Sequence, residues 1–280
     1  MTAMVRLGFE LQRLGRDRSG TARQWQRLNM TINVISDLHN LVKENTKDEI
    51  DWMDFDTSKL KKADVLVVAG DLANTQQEYP IVEKALKELP QFKKVICIPG
   101  NHDFWYGEYK RPKNQIVKMD DVVFLCTVLW TPLNFKTNNF NDDFFGQLYI
   151  VGRMVDYRVI CDWTVDQNNA EYEYNYKWLK KNIAKYKKLG KKVVVVTHHS
   201  PSMKLVDKKF EGSYLNKAFH VADDSCEKLK PDLWIHGHSH EFLKKTIDGV
   251  VYIRNPIGYR YPGRPHELPE DHWYNTVVRV

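Results

Sequence analysis

Short runs of consecutive apolar, β-branched residues punctuate the chain from Thr31 onward, and amphipathic stretches separate them. The runs Ile32 to Ile35, Val65 to Ala69, Val95 to Ile98, Val122 to Leu125, Val193 to Thr197, Leu233 to His236 and Val250 to Arg254 are strand-sized. Their unbroken apolar character predicts strands buried on both faces. Helical spacing appears in Pro80 to Leu89 and in Val165 to Leu189, where Tyr172, Tyr176, Leu179 and Ile183 recur every three or four residues. Strands separated by helices predict a layered α/β domain. The Asn/Asp/Phe-rich stretch Asn134 to Phe145 reads as a long loop. No repeat or low-complexity tract is evident.

Polar residues that can ligate metals fall at the ends of these strands. Asp37 and His39 follow the first run in ISDLH, Asp71 the second in VVAGDL, and Asn101 with His102 the third in CIPGNHD. His198 follows the run VVVVT, and His238 and His240 close WIHGHSH. In an open α/β sheet such positions converge at the carboxyl edge of the strands. One strand end of this kind means little, because single His or Asp residues are common as caps and turn formers. Turn chemistry gives no reason for imidazoles at three strand ends. Carboxylate and amide oxygens mixed with imidazoles suit first-row divalent cations: manganese is favoured, with iron, nickel, cobalt and zinc as alternatives. A carboxylate can bridge two such ions, the arrangement that activates water and clamps a phosphate. The glycines before Asp71, Asn101 and His238 are expected to turn the backbone sharply out of each strand.

At these positions the chain resembles the calcineurin-like metallophosphoesterases, whose ordered pattern of DxH, GD, GNH followed by an acid, a lone His, and GHxH is complete between Thr31 and Pro256. The resemblance implies a four-layer α-β-β-α sandwich and hydrolysis of a phosphomonoester or phosphodiester through a metal-bridging hydroxide. It implies one ion held by Asp37, His39, Asp71 and His240 and another by Asp71, Asn101, His198 and His238, with Asp71 as the bridge. His102 is then the acid that protonates the departing alkoxide. The strings LWT, MVDYRVI, THHSPS and NPIGY further resemble a subgroup of small single-domain members. That subgroup often has an Arg where Ile257 stands, so Arg254 or Arg260 is a candidate replacement. Arg158 and His199 are the remaining candidates for the substrate side, His199 more simply as a residue behind the ligands. Asn74 and Thr75 stand where protein Ser/Thr phosphatases carry Asp and Arg, which sets this chain outside that branch. Trp105 and its neighbours Phe104 and Tyr106 could stack on a base or sugar, or anchor their loop. No role is read for His220, His266 or His272, and His236 is read as a packed strand residue.

Charge narrows the partner. Of the formal +6, residues 1–30 carry +4, with six arginines against Glu10 and Asp17, so the other 250 residues carry only +2. A near-neutral body favours a small or nucleotide-like phosphate ester over nucleic acid. A nuclease of the same family and a catalytically inactive binding protein on the same fold are the alternatives. Residues 1–30 hold Arg without Lys, unlike the Lys-rich remainder, and read as a leader or appended segment, with 31–280 as one domain. No apolar run approaches the roughly 18–20 residues of a membrane span. Four scattered cysteines without a close pair read as free thiols, consistent with the cytoplasm.

Overall fold

A computed structural model describes residues 30–42, 50–51, 55–134, 140–260 and 270–280. Of the segment 1–30, expected as a leader or appended stretch, all but Met30 lies outside the described residues, as does His266. The strands are β1 (Thr31–Ile35), β2 (Leu41–Val42), β3 (Ile50–Asp51), β4 (Val65–Ala69), β5 (Lys94–Ile98), β6 (Gln115–Met119), β7 (Val122–Cys126), β8 (Lys192–Val196), β9 (Leu233–Ile235), β10 (Leu243–Ile247), β11 (Val250–Arg254) and β12 (Val277–Arg279). The helices are α1 (Tyr79–Lys87), α2 (Phe140–Val151), α3 (Asp156–Val159), α4 (Val165–Lys188), α5 (Asn216–Phe219) and α6 (Glu270–Asn275).

Two mixed sheets form, ordered β12-β1-β4-β5 and β10-β11-β9-β8-β7-β6, beside the small β2-β3 hairpin. Their central strands run parallel, and the edge strands β12, β10 and β6 pair antiparallel. The apolar runs are continuous because each central strand is covered on both faces. Along β4, Leu66 and Val68 face α1 with Val82 and Leu86. Val65 and Val67, beside Ile96 of β5, face the other sheet, meeting Phe124, Val194 and Val196. On that sheet's far side, Val123, Leu125, Val193, Val195 and Trp234 pack against Leu179 and Ile183 of α4. Three apolar layers thus separate four layers of structure, the α-β-β-α sandwich expected from the resemblance. A capping box starts α4: Thr164 accepts from the Gln167 amide, and the Gln167 side chain accepts from the Thr164 N–H.

All seven expected strands form, each end within a residue of its place in the sequence. The expectation of a long loop over 134–145 requires correction, because residues 140–145 open α2, while 135–139 lie outside the described residues. The helix places Gly146 against the Tyr214 hydroxyl. This packing is long-range and overrides the turn-forming bias of Asn and Asp.

Candidate metal centre

The parallel strands of both sheets deliver their carboxyl ends to one edge. There the sheets are stitched together: Ser36 N donates to Asn255 O at 3.0 Å, and Ser36 pairs with Pro256. Asp37 N donates to Gly70 O (2.9 Å), His39 N to Asp71 O (3.0 Å) and Gly237 N to His198 O (2.9 Å). These loops turn within two to four residues of the strand ends. Asp37, His39, Asp71 and His238 take positive φ values of 55°, 47°, 52° and 68°. Such left-handed geometry costs a non-glycine residue about 1–3 kcal/mol and persists only where the surroundings hold it. Four of the seven proposed ligands carry this strain, and it aims their side chains into a shared centre.

The donor atoms converge. Asp71 Oδ2 lies 3.3 Å from His198 Nε2, 3.8 Å from His39 Nε2 and 4.0 Å from His102 Nε2. His240 Nε2 is 3.5 Å from Asp37 Oδ1 and 3.2 Å from His39 Nε2. His198 Nε2 is 3.0 Å from Asn101 Oδ1 and 3.2 Å from His238 Nδ1. Two donors about 2.1 Å from a common cation and 90–109° apart stand about 3.0–3.4 Å from one another. Most of these separations fall in or near that range, and Asp37/His39/His240 and Asp71/His198/His238 each form a cluster able to hold a cation. Carboxylate, amide and imidazole donors with no thiol fit a hard or borderline divalent ion.

Electrostatics prepare the donors. Burial alone would raise the Asp71 pKa, but the charge of His198 outweighs it and holds this carboxylate well below its usual range. Burial would likewise raise the Asp37 pKa, but His240 and His198 outweigh that and hold it below its ordinary value. Burial pushes His39 down to about 3 and His238 well below its ordinary value, so both are neutral and able to ligate. The His39–Asp71 contact is therefore not an ion pair. His198 is the exception: burial lowers it, yet the charge of Asp71 carries it up to about 9. Its Nδ1 donates to Ala69 O at 3.0 Å, which turns Nε2 toward the cluster.

Several supporting residues were not legible as such. Asp156, in the string MVDYRVI, is buried, and its Oδ1 accepts from Asn101 Nδ2 (2.8 Å) and Trp105 Nε1 (2.7 Å). The first bond fixes the Asn101 amide so that its oxygen faces His198. Trp105 stacks on His102 with centroids 3.4 Å apart and planes at 26°, so its ring packs on the cluster itself. Phe104 is buried in a cluster with Trp130 and Trp163, whereas Tyr106 is exposed. Tyr259, in NPIGY, places its hydroxyl 3.0 Å from His102 Nε2. Asp103 accepts from the amides of Gly100, Leu72 and Ala73, which binds the loop after β5 to the loop after β4.

The glycine expectation holds for Gly70, with φ 91°, but not for Gly100 or Gly237, whose φ is not positive. Their requirement is space: a Cβ on Gly100 would lie 2.1 Å from Asp71 Oδ1, and one on Gly237 2.7 Å from Ala69 O.

On the substrate side the expectations fare differently. Arg158 is exposed, donates to Gly152 O at 3.3 Å and does not line the cleft. His199 is buried behind the ligands, its ring 4.2 Å from that of His238 and 4.9 Å from Trp130, and it does not line the cleft. Arg254 is buried and donates to Glu241 O, and Arg260 donates to Leu38 O and Asn40 Oδ1. Neither lines the cleft, where the guanidinium is that of Arg153. His220, for which the sequence suggested no role, is buried and lines the cleft. His236 is packed in the fold as expected, and His272 is exposed.

Residues 30–242 match the sequence model of the calcineurin-like phosphoesterase family, and the chain belongs to that family, a class of metal-binding phosphoric ester hydrolases. An uncharacterized protein of Acanthamoeba polyphaga mimivirus is 21% identical over 228 residues, covering 70% of this chain and 79% of its own. The phosphopantetheinyl hydrolase of Mycobacterium tuberculosis superposes with a TM-score of 0.59 at 16% identity, over 90% of this chain and 96% of its own. A dimetal phosphatase from Danio rerio gives a TM-score of 0.46 at 10% identity, over 80% of this chain and 86% of its own. Among the described residues no helix is long and apolar enough to cross a membrane.

Proposed function

We propose that the chain hydrolyses a small or nucleotide-like phosphate ester with two divalent cations, manganese being favoured. One is held by Asp37, His39, Asp71 and His240, the other by Asp71, Asn101, His198 and His238. The observation that carries this reading is the position of Asp71: its Oδ2 stands within 4 Å of imidazoles from both ligand sets, as a bridging carboxylate must. When bound, such a pair neutralises phosphoryl oxygens and acidifies water.

The protein's own groups do the rest. Asp156 keeps the Asn101 oxygen turned inward, and Trp105 and Tyr259 hold the His102 ring at the edge of the cluster. His102 supplies a proton to the leaving oxygen. Burial lowers its pKa, and a phosphoryl dianion beside it draws the value back up, so its protonation is coupled to substrate arrival. Against a nuclease, the described residues of the cleft lining include no lysine and one arginine, whereas a nucleic-acid groove needs a track of cations. Against an inactive binding protein, none of the seven ligands is missing from the family pattern.

The test is hydrolysis of a chromogenic phosphomonoester and phosphodiester by the full chain with Mn²⁺, beside Asp71→Asn and His102→Ala. Asp71→Asn is expected to lose metal and turnover together. His102→Ala is expected to lose turnover while retaining both ions by elemental analysis. Metal loss in His102→Ala would make His102 a ligand, and wild-type turnover in Asp71→Asn would overturn the bridge.

A further inference from the structure

Beyond the ligands the cleft opens into a cavity of about 420 Å³, the size of a pocket that encloses a small organic molecule rather than a phosphoryl group alone. Much of its lining is apolar: Met154, Val155, Phe210, Leu215 and Phe219 contribute to it, with the Phe219 ring 4.5 Å from that of His238. A wall of this kind beside buried ligands gains little from a short, hydrophilic leaving group. It gains roughly 25 cal/mol for each Å² of apolar surface that a substrate covers.

Among the described residues of the lining, Arg153 is the one Lys or Arg. Its guanidinium lies over the Tyr149 ring, 3.7 Å from the centroid, and among the described residues no carboxylate pairs with it. Tyr149 meets Tyr214 edge-on at 5.9 Å and 85°, and Tyr214 is seated against Gly146 of the same helix. Aromatic packing therefore orients Arg153 and leaves its forked donors available for an anion. The nearby acid Asp207 caps its own short turn, accepting from Lys209 N at 3.0 Å, and stands in the field of the buried Arg254.

We infer that the preferred substrate has a leaving group with an apolar or aromatic body, seated on Met154, Val155, Phe210, Leu215 and Phe219, that ends in a second anionic group paired with Arg153. The inference rests on the proposed phosphoesterase reading for the position of the scissile phosphate. It deepens that reading by naming what the rest of the cleft selects.

Calorimetry on the Mn²⁺-loaded full chain, with 2-naphthol and its anionic counterpart 6-hydroxynaphthalene-2-sulfonate as ligands, tests it without turnover. Wild type is expected to bind the sulfonate about tenfold or more tighter than the neutral naphthol, the size of one charge-assisted pair. Arg153→Gln is expected to bring that ratio close to one, and Phe210→Ala to weaken both ligands alike. In the kinetic arm, the phosphate ester of the sulfonated naphthol should show a lower KM than 2-naphthyl phosphate or phenyl phosphate, with the sulfonate advantage lost in Arg153→Gln. Failure of either naphthol to bind, equal affinities in wild type, or a ratio that survives Arg153→Gln overturns the inference. Absence of phenyl phosphate hydrolysis in wild type would instead count against the phosphoesterase reading, and the binding arm would still decide the subsite.

Discussion

Replacing Asp156 probes how the metal centre is held, because this residue touches a ligand without being one. Both of its described bonds, from Asn101 Nδ2 at 2.8 Å and Trp105 Nε1 at 2.7 Å, end on the same oxygen, Oδ1. Asp156→Ala strands two buried donors, at a cost of about 1–3 kcal/mol each. Trp105 can relieve its share only by shifting its ring off His102. Asn101 can relieve its share by rotating its amide, which would turn a donor toward the cations. Loss of such an outer partner typically weakens metal binding about 10–100-fold, or about 1.4–2.8 kcal/mol. Asp156→Asn behaves differently. One amide oxygen can accept both bonds, and burial already pushes the Asp156 pKa up, so a neutral group is tolerated. Each bond loses charge assistance, about half its strength, and the loss of Mn²⁺ affinity should be only a few-fold. Calorimetric titration of the metal-stripped variants reads the difference directly. The reasoning fails if the Ala variant binds Mn²⁺ like wild type, or if Asn is as damaging as Ala.

Gly100→Ala should abolish metal-dependent activity, since the new Cβ would sit 2.1 Å from Asp71 Oδ1 and 2.7 Å from His198 Cε1. The overpacking should cost about 1–3 kcal/mol of stability, read as metal content and a melt in chelator, and full metal content would contradict the geometry. Chelation of the wild type should lower its Tm. Restoring metal to 100 times Kd should return about 2.7 kcal/mol for each site, or roughly 5–10 °C for a chain of this size. A melt indifferent to chelator would count against resident ions.

The apolar runs were legible because strands covered on both faces must be apolar along their whole length, as in β4 and β8. The edge strands β6 and β10 were not. QIVKM alternates half-buried with exposed residues, and LKKTI exposes its three middle residues, a weak signal over five positions. The proposed ligands could be picked out because each follows its strand within a few residues and belongs to an ordered family pattern. Trp105, Tyr259 and Asp156 lay in strings that the sequence singled out, but their contacts with His102 and Asn101 span up to 157 positions.

Sequence alone therefore determined the layered α/β class, the strand positions and the identity of the side chains gathered at the strand ends, since these follow from local pattern and residue chemistry. Tertiary structure alone decided how those side chains meet. The left-handed backbone at Asp37, His39, Asp71 and His238 is imposed by the hydrogen-bonded junction of two sheets. The choice of Arg153 rather than Arg158, Arg254 or Arg260 as the guanidinium of the cleft depends on how the segment after α2 packs. Neither is written in any run of neighbouring residues, because both arise from contacts between distant parts of the chain.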